Sequence, residues 1–344
     1  MGAAAAPRSS AEVLSWGRDA LQPALRAAID TLPSGVRHVA EFHLGWCDEH
    51  GLPTPGAGGK AIRPTLTLLT ARAIGGAYEP ALPAAVAVEL VHDFSLLHDD
   101  VMDGDVRRRH RPTAWSAFGV GQAILAGDSL LALAFGTLAA SGAGSAQAAA
   151  GRILSATVQA LIDGQSSDLA FEARDEVSLP ECMDMARAKT GMLLGCACEL
   201  GALFAAGDRD QVAHAREFGE RLGLAFQLVD DILGIWGDPA VTGKAIHADI
   251  SARKKSLPVV AALVSQTPAG RDLADLYGRG DPLSSVDVAL AAELVTESGG
   301  RAWTEAEAAR QVSGALAALR SAGASGAPAA ELESLARLVT TRDR

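Results

Sequence analysis

Little in this sequence would support a sheet, a disulfide framework or a basic binding surface. β-Branched alternation is scarce while Ala, Leu and Gly dominate, which favours helices over strands. The few cysteines, Cys47, Cys182, Cys196 and Cys198, lack zinc-ligand spacing, and Cys196 and Cys198 point to different faces of a helix. They read as buried thiols in a reducing compartment, so a cytoplasmic location is expected. A net charge of −11 does not suit a nucleic-acid binder, which carries a basic footprint. The N-terminus has neither a charged n-region nor a strong apolar h-region, so no secretory signal is read. The longest apolar stretches, 123–140 and 192–206, are interrupted by Asp128 and Glu199 and are too short to be convincing membrane spans.

What is present is a large core and charge held in short motifs. With 49% hydrophobic against 21% charged residues, 344 residues make a globular chain. Lys60, Arg63, Arg107, Arg108, Arg109, Arg111, Lys189, Lys244, Arg253, Lys254 and Lys255 sit in clusters, most of them flanking Asp. That pattern suits a small, highly anionic ligand. An apolar run over 86–97 ends in Asp99, Asp100 and Asp103. On a helix, Asp99 and Asp103 share a face one turn apart and repel each other by a few tenths of a kcal/mol. A hard divalent cation is the simplest relief, and Mg²⁺ takes one or two carboxylates and completes its shell with water and phosphate oxygens. A second apolar run ends in Asp230 and Asp231. Facing each other across a cavity, the two acidic ends would hold metal ions around a diphosphate.

Along the chain, residues 1–10 read as a disordered tail and 11–344 as one all-α domain of at least ten helices with no convincing strand. Helices are expected over 13–32, 38–50, 65–74, 82–97, 119–140, 146–169, 183–203 and 211–235, with further helices after 257. The glycines at 56, 58 and 59 let backbone N–H groups approach a phosphate, and Lys60 and Arg63, one turn apart, can grip it.

The ordered motifs resemble those of the trans-type (E-type) isoprenyl diphosphate synthases. Asp99-Asp100-Val101-Met102-Asp103 matches the family's first aspartate-rich motif, with Arg108-Arg109 following. Gly59-Lys60-Ala61-Ile62-Arg63-Pro64 is similar to its GGKxxRP motif. Asp230-Asp231 stands at the second aspartate-rich motif, after Gln227 and before Thr242-Gly243-Lys244 and residues 249–254. The resemblance implies an antiparallel helical bundle around a deep central cavity, usually as a homodimer. It implies Mg²⁺, three ions with substrate bound, on Asp99, Asp103 and Asp230 with Asp100 and Asp231 in support. It gives isopentenyl diphosphate to Lys60, Arg63, His92 and Arg109. The allylic diphosphate falls to Arg108, Lys189, Lys244 and Lys254, and the developing cation to Thr190 and Gln227.

Two departures stand out: Gly234 replaces a frequent third aspartate, and Ala61 a frequent basic residue. Product length is expected to follow Phe94 and Ser95, five and four residues before Asp99. One aromatic at the fifth position implies geranylgeranyl diphosphate (C20); the alternatives are a stop at farnesyl diphosphate or a longer chain. A terpene cyclase would have no use for Lys60, Arg63 and Arg109, and a non-catalytic partner subunit would be expected to lose the first aspartate motif. His98 is expected as an outer-shell partner of Asp99.

Overall fold

The computed structural model describes residues 6–54, 59–239, 246–279 and 281–340. Gly56 and Gly58 of the expected phosphate loop, and the Thr242-Gly243-Lys244 motif, lie outside the described residues.

Sixteen helices are described: α1 Ser10–Ile29, α2 Ser34–His43, α3 Ile62–Ala73, α4 Leu82–Met102, α5 Ala114–Phe118, α6 Val120–Ala139, α7 Ser145–Glu172, α8 Leu179–Ala186, α9 Met192–Phe204, α10 Arg209–Trp236, α11 Ala248–Ser251, α12 Leu257–Leu263, α13 Pro268–Tyr277, α14 Ser285–Glu297, α15 Gly300–Ser321 and α16 Gly326–Thr340. The all-α expectation holds, with one addition. Strands β1 (Arg107–Arg108) and β2 (Arg111–Pro112) pair antiparallel as a minimal hairpin.

The helix ends follow local chemistry. Ser9 and Glu12 form a capping box at the start of α1. Arg8 donates to Glu331 through its backbone N–H at 3.0 Å and its side chain at 2.8 and 2.7 Å. The tail expected over 1–10 is therefore corrected: residues 8–10 are tied down. Helix α2 stops at His43 rather than continuing to residue 50, because Gly45 takes φ +77 just past its end. Gly104, at φ +69, ends α4 in the same way immediately after Asp103.

The chain divides into two compact units, residues 1–158, 196–216 and 319–334 in the first, and 159–195, 217–318 and 335–344 in the second. In the first, α4 packs on α3 and α6, with Leu66, Leu68, Leu69, Leu90, Leu97 and Leu130 almost wholly buried. In the second, Ile235, Ile250, Val259, Leu273, Ala291 and Val295 make one apolar cluster. A π turn, Arg187–Gly191, separates α8 from α9 and carries Lys189 and Thr190. Gly164 lets α7 come against it, since a Cβ there would lie 2.5 Å from the Lys189 backbone nitrogen.

Two helical stretches, Glu79–Met102 and Val120–Ala139, are long and apolar enough to cross a membrane by length and composition. The first is mostly buried, as a core helix is.

Candidate active site

In the first unit, Asp99 and Asp100 lie in the last turn of α4 and Asp103 caps it, with no basic residue in that turn. A helix C-terminus already holds partial negative charge, so three carboxylates there raise the local need for a cation. Asp100 is buried, and its Oδ1 accepts from Arg108 Nε and Nη2, each at 2.7 Å. Its Oδ2 is buried without a partner among the described residues. Asp100 thus anchors Arg108, one of the residues expected at the allylic diphosphate.

The β1–β2 hairpin turns through Arg109 and His110, both with positive φ (49° and 64°) and neither a glycine. Left-handed backbone costs a non-glycine residue about 1–2 kcal/mol, and such strain tends to collect at functional sites. The turn lays Arg109 against Gly59: a Cβ on that glycine would sit 3.0 Å from both guanidinium Nη atoms. Arg111 braces the hairpin, donating to the carbonyls of Phe42 at 3.2 Å and Cys47 at 2.9 Å.

Lys60 and Arg63 are not on one helical turn, as the sequence suggested. Pro64 is confined to the first turn of α3, so the helix begins at Ile62, and Ala61 takes φ +49 before it. Lys60 therefore lies outside the helix and is exposed. Arg63 Nη1 reaches His92 Nε2 at 3.1 Å. A guanidinium only donates, so this nitrogen accepts and the ring is neutral. Burial, then the charges of Arg63 and Arg109, hold His92 well below the ordinary histidine range.

Behind this pair lies an acidic cluster that the sequence reading missed. Glu89 and Asp93 are both buried on α4, one turn apart. Asp93 Oδ1 is 3.4 Å from His43 Nε2. Burial and then Asp93 raise Glu89 well above the usual carboxylate range. Two acids at i, i+4 inside an apolar run were the available signal.

Phe94 is 6% exposed and meets His98 edge-on at 4.8 Å. His98 Nε2 lies 3.1 Å from the Ile124 carbonyl and 3.7 Å from Asp128 Oδ1, and Gly127 makes room for the ring on α6. Buried Ser95 donates to the His92 carbonyl at 2.8 Å.

In the second unit, Lys189 Nζ donates to Asp168 at 2.6 Å. Thr190 Oγ1 donates to Gln227 Oε1 at 2.7 Å, and Gln227 Nε2 donates to Asp231 Oδ1 at 2.8 Å. Asp231 Oδ2 accepts the Leu257 backbone N–H at 2.9 Å, at the start of α12. Both oxygens of this buried carboxylate therefore have protein partners. Burial raises it to about 6, opposed chiefly by the charge of Lys254. Thr190 and Gln227, named together from the sequence, are brought into direct contact. Gln165 is 5% exposed, and neither end of its amide has a partner among the described residues.

Residues 46–294 match the family model described as Polyprenyl synthetase. The chain belongs to the polyprenyl synthetase family. A (2E,6E)-farnesyl diphosphate synthase of Mycobacterium tuberculosis is 43% identical over 339 residues, covering 97% of this chain and 94% of that protein. A geranylgeranyl diphosphate synthase of the same organism is 42% identical over 321 residues, covering 93% and 91%. The crystal structure of a polyprenyl synthetase from Streptomyces coelicolor superposes with a TM-score of 0.89 at 45% identity, covering 95% of this chain and 98% of that one. A geranylgeranyl pyrophosphate synthase from Corynebacterium glutamicum, solved with isoprenyl diphosphate and magnesium, gives 0.80 at 28% identity, covering 96% and 99%. The chain therefore has the all-α isoprenoid synthase fold and is a prenyltransferase.

Proposed function

We propose that the chain condenses isopentenyl diphosphate with an allylic diphosphate (dimethylallyl, geranyl or farnesyl) by ionisation, condensation and elimination, and stops at geranylgeranyl diphosphate. The observation that carries this reading is the basic platform of Arg63 on neutral His92, with Arg109 laid over Gly59. A terpene cyclase, which needs no second diphosphate site, would have no use for it.

The carboxylates suit Mg²⁺. They are hard oxygen donors, and neither α4 nor α10 has a basic residue in its last turn. Among the described residues no three His, Cys, Asp or Glu side chains already form a metal cage. That is compatible with an ion sharing its shell with diphosphate and water. Asp99, Asp103 and Asp230 would hold it, three ions being expected with substrate, while Asp100 and Asp231 act through Arg108 and Gln227. Bound magnesium supplies charge neutralisation for the departing diphosphate.

The chain's own residues do the rest. Lys60, Arg63, His92 and Arg109 hold isopentenyl diphosphate; Arg108, Lys189, Lys244 and Lys254 hold the allylic diphosphate as its C–O bond ionises. Thr190 and Gln227 present oxygen dipoles to the developing allylic cation. The isopentenyl double bond attacks that cation, and a proton is then lost to the released diphosphate.

Buried Phe94 beside small Ser95 supports C20. The 43% identity to a farnesyl diphosphate synthase supports the second reading, a stop at C15. Exposed Val120, Ile124 and Leu125 on α6 support a homodimer, and four free, buried cysteines support the cytoplasm. Incubation with Mg²⁺, isopentenyl diphosphate and each allylic diphosphate, followed by product chain-length analysis, tests the reading. Elongation to C20 is expected. A cyclic hydrocarbon without elongation, or no turnover, would overturn it.

A further inference from the structure

Gly127 is buried on α6, the helix that packs along α4. A Cβ on it would lie 2.3 Å from His98 Nε2, 2.5 Å from Cδ2 and 3.4 Å from Cε1, and these are its three nearest atoms. Non-bonded heavy atoms pack at about 3.5–4.0 Å, so the imidazole edge stands where any other side chain would begin. At Gly121 and Gly136 of the same helix an added Cβ would meet nothing within 4 Å. Two more groups of α6 bound the notch. His98 Nε2 is 3.1 Å from the Ile124 carbonyl and 3.7 Å from Asp128 Oδ1. A carbonyl and a carboxylate only accept, so Nε2 carries the hydrogen and donates to the Ile124 carbonyl.

His98 also bears on Phe94. The two rings meet edge-on, centroids 4.8 Å apart and planes at 66°. Four residues apart, they share one face of α4. Long helical side chains lean toward the N-terminus, over the residue one turn earlier, which for His98 is Phe94. The imidazole is thus wedged between bare α6 backbone and the Phe94 ring. Glycine inside a helix is destabilising relative to alanine. Here the space it frees is taken by a single ring.

We propose that Gly127 is a positioning residue for product length: by admitting the His98 ring to α6, it sets how far Phe94 stands into the cavity that receives the growing chain. The proposal rests on the synthase reading with Phe94 as the floor, and adds a determinant on a second helix. A methyl group at 127 would drive the ring roughly an ångström off α6, and the lean of the side chain carries that push onto Phe94.

Product chain length in Gly127→Ala, His98→Ala and the double variant tests it, each read relative to the wild-type product, with helix content followed by circular dichroism. Gly127→Ala should raise the ratio of the next shorter product to the wild-type product about 10-fold, the order expected from overpacking a fitted site. His98→Ala withdraws the backing from Phe94 and should shift products to longer chains. In the double variant the added methyl enters the emptied notch, so its products should match those of His98→Ala. A wild-type distribution in either folded single variant would overturn the proposal. So would a double variant that still shortens products, since the methyl would then act through the spacing of α4 and α6. If Gly127→Ala does not fold, recovery of helix content in the double variant, with the products of His98→Ala, supports the same link. Misfolding of both would overturn it. Wild-type protein that elongates no allylic diphosphate would overturn the synthase reading as well.

Discussion

Asp231 accepts the Leu257 backbone N–H at 2.9 Å, tying α10 to the first residue of α12. Its other oxygen holds the Gln227 amide so that Oε1 remains turned to Thr190. Asparagine at 231 would offer one acceptor oxygen to these two donors. Asp231→Asn should therefore lose about 1–3 kcal/mol of stability, the cost of a buried unsatisfied donor. It should also lower kcat more than KM, because Gln227 is released to rotate. Urea unfolding and steady-state kinetics check this, and unchanged stability would remove the assigned structural role.

Asp99→Ala should behave oppositely in its two readouts. Loss of one charge-stabilising contact typically costs about two to three decades in rate. In the absence of Mg²⁺ the folded protein should be equally stable or slightly more so, since a like charge is removed from a helix C-terminus. Near-normal turnover would rule out the metal assignment; a collapse in melting temperature would reassign Asp99 to the fold.

His92 carries a pH dependence of defined sign. Its folded-state pKa lies well below the ordinary value, so the unfolded chain binds the proton more readily. The stability linked to His92 is thus complete above about pH 6.5 and is lost as pH falls below it. Urea unfolding between pH 7.5 and about 5.5 should show a shallower loss in His92→Asn than in the wild type. The variant should also raise KM for isopentenyl diphosphate, because the shorter amide no longer meets Arg63 Nη1 where the imidazole nitrogen does. Equal slopes in the two proteins would contradict a buried neutral ring.

Chain length should respond to the wall that Phe94 forms with His98. Phe94→Ala should extend products beyond C20, and Ser95→Phe should shorten them to C15. The alanine variant also opens a cavity and should cost about 3–5 kcal/mol, so Phe94→Leu provides a milder comparison. Product analysis by chromatography decides the matter. An unchanged distribution in all three variants would place the floor of the cavity elsewhere.

What the sequence determined by itself was whatever depends on near neighbours. Apolar periodicity located the helices, and i, i+4 spacing paired Asp99 with Asp103. The order of the motifs identified the family. Tertiary structure alone decided what the buried acids hold. Asp100 turns inward onto Arg108, and Asp231 is taken up by Gln227 and Leu257. The hairpin carries none of the Asn-Gly or Asp-Gly signals that mark such turns, because Arg109 and His110 hold left-handed backbone there. Asp249 stands fifteen residues from Gly234, and their contact exists only because α11 packs onto α10. Periodicity reports which face a side chain occupies; what that face meets is set by the packing of elements distant in the chain.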